Sequence, residues 1–301
     1  KGAFTLGSFV GPGFSLHGGL SADNLVGRTA DDLGVQINNL ETNRSLNFRG
    51  NVDGDILIKG NLNGNIAFGN GVTATSDITV RGSVSTNGKI AGNGDYLGTA
   101  NFVGTFSGSA TIDGDVDGNW TFNSSVPSAA KLLANHWDNV NALRSFGGQI
   151  VSDDEINLDV GGSITGTAKL TASGDVYLDV TGSILSGAII ASSSEVSATV
   201  GGNVSGTINN LDGDLTLNIG GSLSGATIDS ASTVSISVGR GITNSKISGS
   251  EVSIEVTGGI TDSTIFATSD LSVDVTGSVT RSKLITESST ASVTISGNLV
   301  D

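Results

Sequence analysis

The residues best equipped for chemistry are carboxylates, and they gather in two places. Asp53 and Asp55 in "DGD", and Asp113, Asp115 and Asp117 in "DGDVD", space acids around glycine as oxygen-rich calcium turns do. These five are the Ca2+ candidates. Neither phrase carries the Glu at the twelfth loop position that an EF-hand requires. "GNGDYL" at 92–97 approaches the nonapeptide calcium repeat but does not recur. Structural turns are therefore the simpler expectation. The second cluster is Asp153, Asp154 and Glu155. Sugar hydrolysis needs two carboxylates held several ångströms apart, so this cluster is where a polysaccharide lyase or hydrolase would be sought. Trp120 and Trp137 are the only tryptophans, and neither lies close in sequence to serve as a sugar platform. The two histidines, His17 and His136, lack an evident nucleophile and orienting acid. No catalytic, cofactor-binding or firm metal residue is assigned, and the expectation is a non-enzyme.

What positions these residues is a repeat. The last apolar residue of each strand triplet falls at Val160, Val180, Val200, Ile219, Val238, Val256, Val275 and Ile295, a near-constant spacing. Two alternating apolar residues precede most of them, as in Val252 and Ile254 or Leu271 and Val273, so three side chains share one strand face. A glycine usually follows two positions later, and another aliphatic four positions later. Units this short cannot bury a core alone and must stack on their neighbours. With no room for helical crossovers, the pattern predicts an all-β, parallel β-solenoid of about 19–20 residues per coil. The outward positions then form columns. One reads Asp159, Asp179, Thr199, Asn218, Ser237, Glu255, Asp274, Thr294, and its neighbour is rich in serine. Such a wall could bind glycans, but a solvated solenoid face is the simpler account.

Four segments are expected. Residues 1–45 are irregular and glycine-rich, a cap or entry segment. Residues 46–126 speak a looser dialect of the repeat, with anchors at Phe48, Ile58, Val80 and Ile112 and a 32-residue register from Phe48 to Val80 and from Val80 to Ile112. Residues 127–148 read as one helical insertion: Pro127 opens it, Leu132, Leu133, His136, Val140 and Leu143 share a helical face, and Gly147–Gly148 closes it. Residues 149–301 hold the regular coils.

Composition narrows the partners. The 301 residues carry a net charge of −15, which disfavours nucleic acid. Cysteine is absent, which removes disulfides and thiolate chemistry. No apolar run reaches the length of a transmembrane helix. Aromatics make up only 5%, so small aliphatics are expected to fill the interior. Methionine is absent, and the chain is read as processed or excerpted from a longer protein.

The "V-G-G-x-V-x-G-x-x-I" texture across 154–301, and more loosely 46–120, resembles the β-helical shafts of filamentous haemagglutinin-like exoproteins and adhesins. That resemblance implies a secreted or surface-displayed stalk or adhesin. "GNVDGDI" and "GNLNGNI" look like bactofilins, which polymerise end to end, although bactofilin cores are shorter. The expectation is an extracellular or cell-surface structural or adhesive rod. Its partners would be further coils or copies of itself at the solenoid ends, with cell-surface glycans as a further candidate. A carbohydrate-active β-helix and a bactofilin-like scaffold are the alternatives.

Overall fold

A computed structural model describes residues 35–300 apart from 43, 49–51, 288 and 289, together with five short backbone stretches N-terminal to Val35. The chain is an all-β, parallel β-solenoid, with no helix among the described residues. It divides into two compact units, Lys1–Asp159 and Val160–Asp301.

In the second unit each coil has three sides. The first wall stacks Lys169–Ala172, Ile189–Ser192, Thr207–Asn210, Thr227–Ser230, Lys246–Gly249, Thr264–Ala267 and Lys283–Thr286. The second stacks Val176–Val180, Val196–Val200, Leu215–Ile219, Thr233–Val238, Glu251–Val256, Leu271–Val275 and Ala291–Ile295. A short third side begins as single bridges, Ile164 to Ile184 to Val204 to Leu223, and continues as two-residue strands from Leu223–Ser224 to Leu299–Val300. Each of these pairings is parallel and in phase, with Val256 opposite Val275 and Glu255 opposite Asp274. Alternation explains the walls: Leu215, Leu217 and Ile219 are buried while Thr216 and Asn218 are exposed. Each Val, Leu or Ile so buried contributes about 1.5–3 kcal/mol relative to exposure, against the entropy of ordering the coil. The corners are tight. A Cβ at Gly258 would collide with the carbonyl oxygen of Arg240 in the preceding coil, so only glycine lets the two backbones approach there. On the third side, Gly225, Asn244, Asp262 and Arg281 all hold positive φ, between 45° and 68°. In three of these coils the left-handed turn is therefore built without glycine.

The first unit follows the same logic with coils of less regular length. One wall runs from Ser45–Phe48 through Asn65–Phe68, Lys89–Gly92, Ser109–Ile112 and Lys131–Ala134 to Gln149–Ser152. The other runs from Val35–Ile37 through Ile56–Ile58, Asp77–Val80, Thr99–Phe102 and Asp115–Phe122 to His136–Ala142. Its widest coils carry Ile56 over Ile78, Ile78 over Ala100 and Phe68 over Gly92, each pair farther apart in sequence than any ladder pair of the second unit.

Four expectations need correction. The helical insertion at 127–148 does not form. Its residues make the strands Lys131–Ala134 and His136–Ala142, joined to neighbours by ladders on both walls. The expected helical face is split, with Leu132 fully buried and Leu143 53% exposed. Ala and Leu favour helix only weakly, and a parallel template on the adjacent coil overrides that preference. The 32-residue register is likewise wrong. Phe48 and Ile112 belong to one wall, Ile58 and Val80 to the other, so the spacing mixed two sides of the coil. Residues 1–45 are not wholly a cap, since Val35–Ile37 already pairs with Ile56–Ile58 and the short N-terminal strands pair in parallel. Of the residues before Val35, all but the five short strands, the His17 side chain included, lie outside the described residues.

The fourth correction concerns the interior of the first unit, which holds rings as well as aliphatics. Phe48 stacks on Phe68 at 6.0 Å and Phe102 on Phe122 at 5.0 Å. Trp120 meets Tyr96 edge-on at 5.2 Å and Trp137 at 5.3 Å. Rings few in number are concentrated in successive coils of one unit, which overall composition does not reveal.

Candidate functional site

Of the calcium candidates, Asp53 and Asp55 use their carboxylates to cap the next coil. Asp53 Oδ1 accepts hydrogen bonds from the hydroxyls of Thr73 (3.1 Å) and Thr75 (2.8 Å) in the next coil. Asp55 Oδ1 accepts the backbone N–H of Asp77 at 2.9 Å. Asp115 donates its backbone N–H to Asp95 Oδ1 at 3.1 Å. Asp115 and Asp117 point outward from the strand Asp115–Phe122, and Asp113 is exposed just before it. The bridges Val52 to Val72 to Tyr96 to Val116 place Asp53 and Asp117 three coils apart. That is roughly 14 Å at the usual strand spacing, too far to share one ion.

The same capping recurs in the second unit. Asp175 Oδ1 accepts the N–H of Glu195 at 2.9 Å. Asp214 Oδ1 accepts the Ser232 hydroxyl at 2.7 Å and the Thr233 N–H at 3.2 Å. Both carboxyls are held below the usual carboxylate range by these donors: for Asp175 the Ser194 hydroxyl first and then the Glu195 N–H, for Asp214 the Ser232 hydroxyl first and then the Thr233 N–H. Acids at coil corners thus accept hydroxyl and backbone N–H donors from the next coil.

One corner departs from this pattern. In the first unit a buried corner residue and a buried wall residue draw together from coil to coil. Five positions separate Val72 from Ile78, three separate Tyr96 from Ala100 and Val116 from Trp120, two separate Trp137 from Val140, and one separates Ile156 from Leu158. The register between Asp115–Phe122 and His136–Ala142 slips between Val116 and Asn119 to absorb the change. At the slip, Asp138 and Asn139 both stay out of the core between buried Trp137 and Val140. His136 and Asp138, two apart on a strand, project to the same side. The next coil brings Glu155 alongside, because Trp137 donates its N–H to the Glu155 carbonyl at 2.9 Å.

The result is a cluster in which ligand atoms of His136, Asp138 and Glu155 all lie within 4.8 Å of one another, each residue partly buried. Asp154 Oδ2 lies 3.9 Å from His136 Nδ1. Beneath them Trp137 is fully buried and its indole N–H donates to the Val151 carbonyl at 3.3 Å. Asp138 also accepts the Asn139 side-chain amide at 2.7 Å. Of the acidic triplet singled out from sequence, Glu155 joins this cluster, Asp154 borders it, and Asp153 stays exposed at the turn. Asp138 was missed because a helix reading of 127–148 put it on a different face from His136. The polar–apolar–polar order of "HWD" is the signal that pairs them on a strand.

A shallow depression elsewhere in the first unit is lined by Gly71, Val72, Thr73, Asp95 and Leu97. It offers a single carboxylate, short of the pair that glycoside hydrolysis uses. No protein-family model, curated protein or solved structure matches the chain.

Proposed function

We propose that this chain is a structural rod module of an extracellular or surface-displayed protein, acting as a stalk or adhesive spacer. The observation that carries the reading is the in-phase parallel stacking within each unit. Like residues lie over like, and the polar side chains of the second unit form continuous outward columns. A ladder of this kind distributes load over every coil, since backbone groups are bonded along the stacking direction. Outside the corner at 136–155, several of the acids are occupied as corner caps.

The coil at Ala291–Val300 leaves Val293, Leu299 and Val300 substantially exposed. Single-molecule pulling on the whole chain tests the mechanical role. Stepwise unravelling at forces typical of structural repeat proteins supports it, and collapse at forces near thermal noise overturns it. A glycan depolymerisation screen tests the enzyme alternative: turnover that disappears in Asp153→Asn and Asp154→Asn variants would replace the rod reading.

A further inference from the structure

From the corner at 136–155 we infer a divalent metal site of the zinc class, with His136, Asp138 and Glu155 as protein ligands. The site goes beyond the rod reading and does not depend on it. Three observations carry it. First, the ligand atoms already lie within 4.8 Å of each other. Around a four-coordinate ion with bonds near 2.0–2.1 Å, neighbouring ligand atoms sit about 3.3 Å apart. The observed spread is therefore within about 1.5 Å of that spacing.

Second, an imidazole stands in a column of carboxylates. In the ladder before the wall strand, Asp95, Asp115, His136 and Glu155 occupy equivalent corners of consecutive coils. The Asp115 N–H is capped by the Asp95 carboxylate. Imidazole cannot repeat that acceptor pattern while also facing two carboxylates. It suits a borderline metal, and it is a poor ligand for Ca2+ or Mg2+, which take oxygen. Third, His136 and Asp138 lie on one side of their strand, and the slip in the ladder falls beside them, where Asp117 and Gly118 of the preceding coil face the single residue Asp138. Asp154, beside the imidazole at 3.9 Å, is in place to orient the ring.

The bound ion would be a staple. Two ligands come from the strand His136–Ala142 and one from the following coil, so an ion joins consecutive coils at the point where coil geometry changes. Only ligands brought together in the folded state bind it well, so occupancy stabilises the first unit by mass action.

The test is titration of the whole metal-free chain with Co2+, followed by absorption spectroscopy and calorimetry, with Zn2+ and Ca2+ as competitors. One Co2+ per chain is expected, with the intense visible bands of a four- or five-coordinate site, displaced by Zn2+ and not by equimolar Ca2+. His136→Gln should abolish these bands. Glu155→Gln and Asp138→Asn should each weaken binding at least tenfold, and Asp154→Asn by less. Circular dichroism confirms that each variant is folded, and the two carboxylate variants carry the test should His136→Gln not fold. Absence of binding up to millimolar Co2+ overturns the site. So does binding that survives His136→Gln, or that Ca2+ displaces at equal concentration, which would mark diffuse attraction to an acidic surface.

Discussion

Between Phe48 and Phe146 the interior is lined by rings, whereas beyond Val160 every buried apolar side chain among the described residues is Ala, Val, Leu or Ile. The two units share one topology, so topology does not explain the difference. Coil length goes further. The widest coils lie in the first unit, where Phe68 pairs with Gly92 and Ile78 with Ala100. Ladder partners of the second unit are closer in sequence, as with Val234 and Val252 or Val176 and Val196. A longer perimeter encloses a wider interior, and interiors pack near crystal density. Phe68 sits in the widest coil, yet Ala100–Trp120 and Trp120–Val140 pair at the same sequence distance as Val176–Val196, so coil length alone does not place the rings. In the second unit the two aromatics, Tyr177 and Phe266, both sit in outward-facing strand positions, partly exposed.

The comparison can be broken most directly at Trp120, which is fully buried and touches Tyr96, Phe102 and Trp137. Trp120→Ala should cost about 3–5 kcal/mol and flatten the near-ultraviolet dichroism. Hydrogen exchange should place the loss in the first unit and leave the amides of 180–280 protected. Equal loss of protection in both units would mean that the two are not separate cores. Next in size, Ile254→Phe puts a ring into a narrow coil and should cost about 1–3 kcal/mol by overpacking. If denaturation shows it to be neutral, perimeter does not limit ring size. Ile236→Val removes one methylene from the narrow core and should cost about 0.5–1.5 kcal/mol, seen as a lower denaturation midpoint with unchanged slope.

The smallest effect is electrostatic. Asp175 and Asp214 have carboxyls depressed in the folded chain, so their contribution is fully present above the unfolded carboxyl range, about pH 4. It is lost as pH falls through the lower folded values. Asp214 is exposed and Asp175 only partly covered, so solvent screening keeps the effect modest. The second unit should lose stability as pH falls below about 4, and an Asp175→Asn, Asp214→Asn double variant should flatten that slope. A melting temperature with the same acid slope in both proteins would show that these corner caps do not matter.

Much of the second unit was legible in advance. The columns from Asp179 to Thr294 and the facing of Val256 on Val275 follow from period-two alternation at near-constant spacing, which admits one register. The first unit was legible only as a style. Its coils vary in length, so anchors from two walls were confused, and "AAKLLANHWDNVNAL" carries helix formers that its own segment cannot overrule.

What the sequence determined by itself is the stacking, because short units with alternating aliphatics have no way to bury them except against each other. What only the tertiary structure decided is the strand at 136–142, the concentration of rings in the first unit, and the meeting of His136, Asp138 and Glu155. These depend on which coil lies beside which and on a slip of register between them, and neighbours in space across a ladder leave no local mark in either strand.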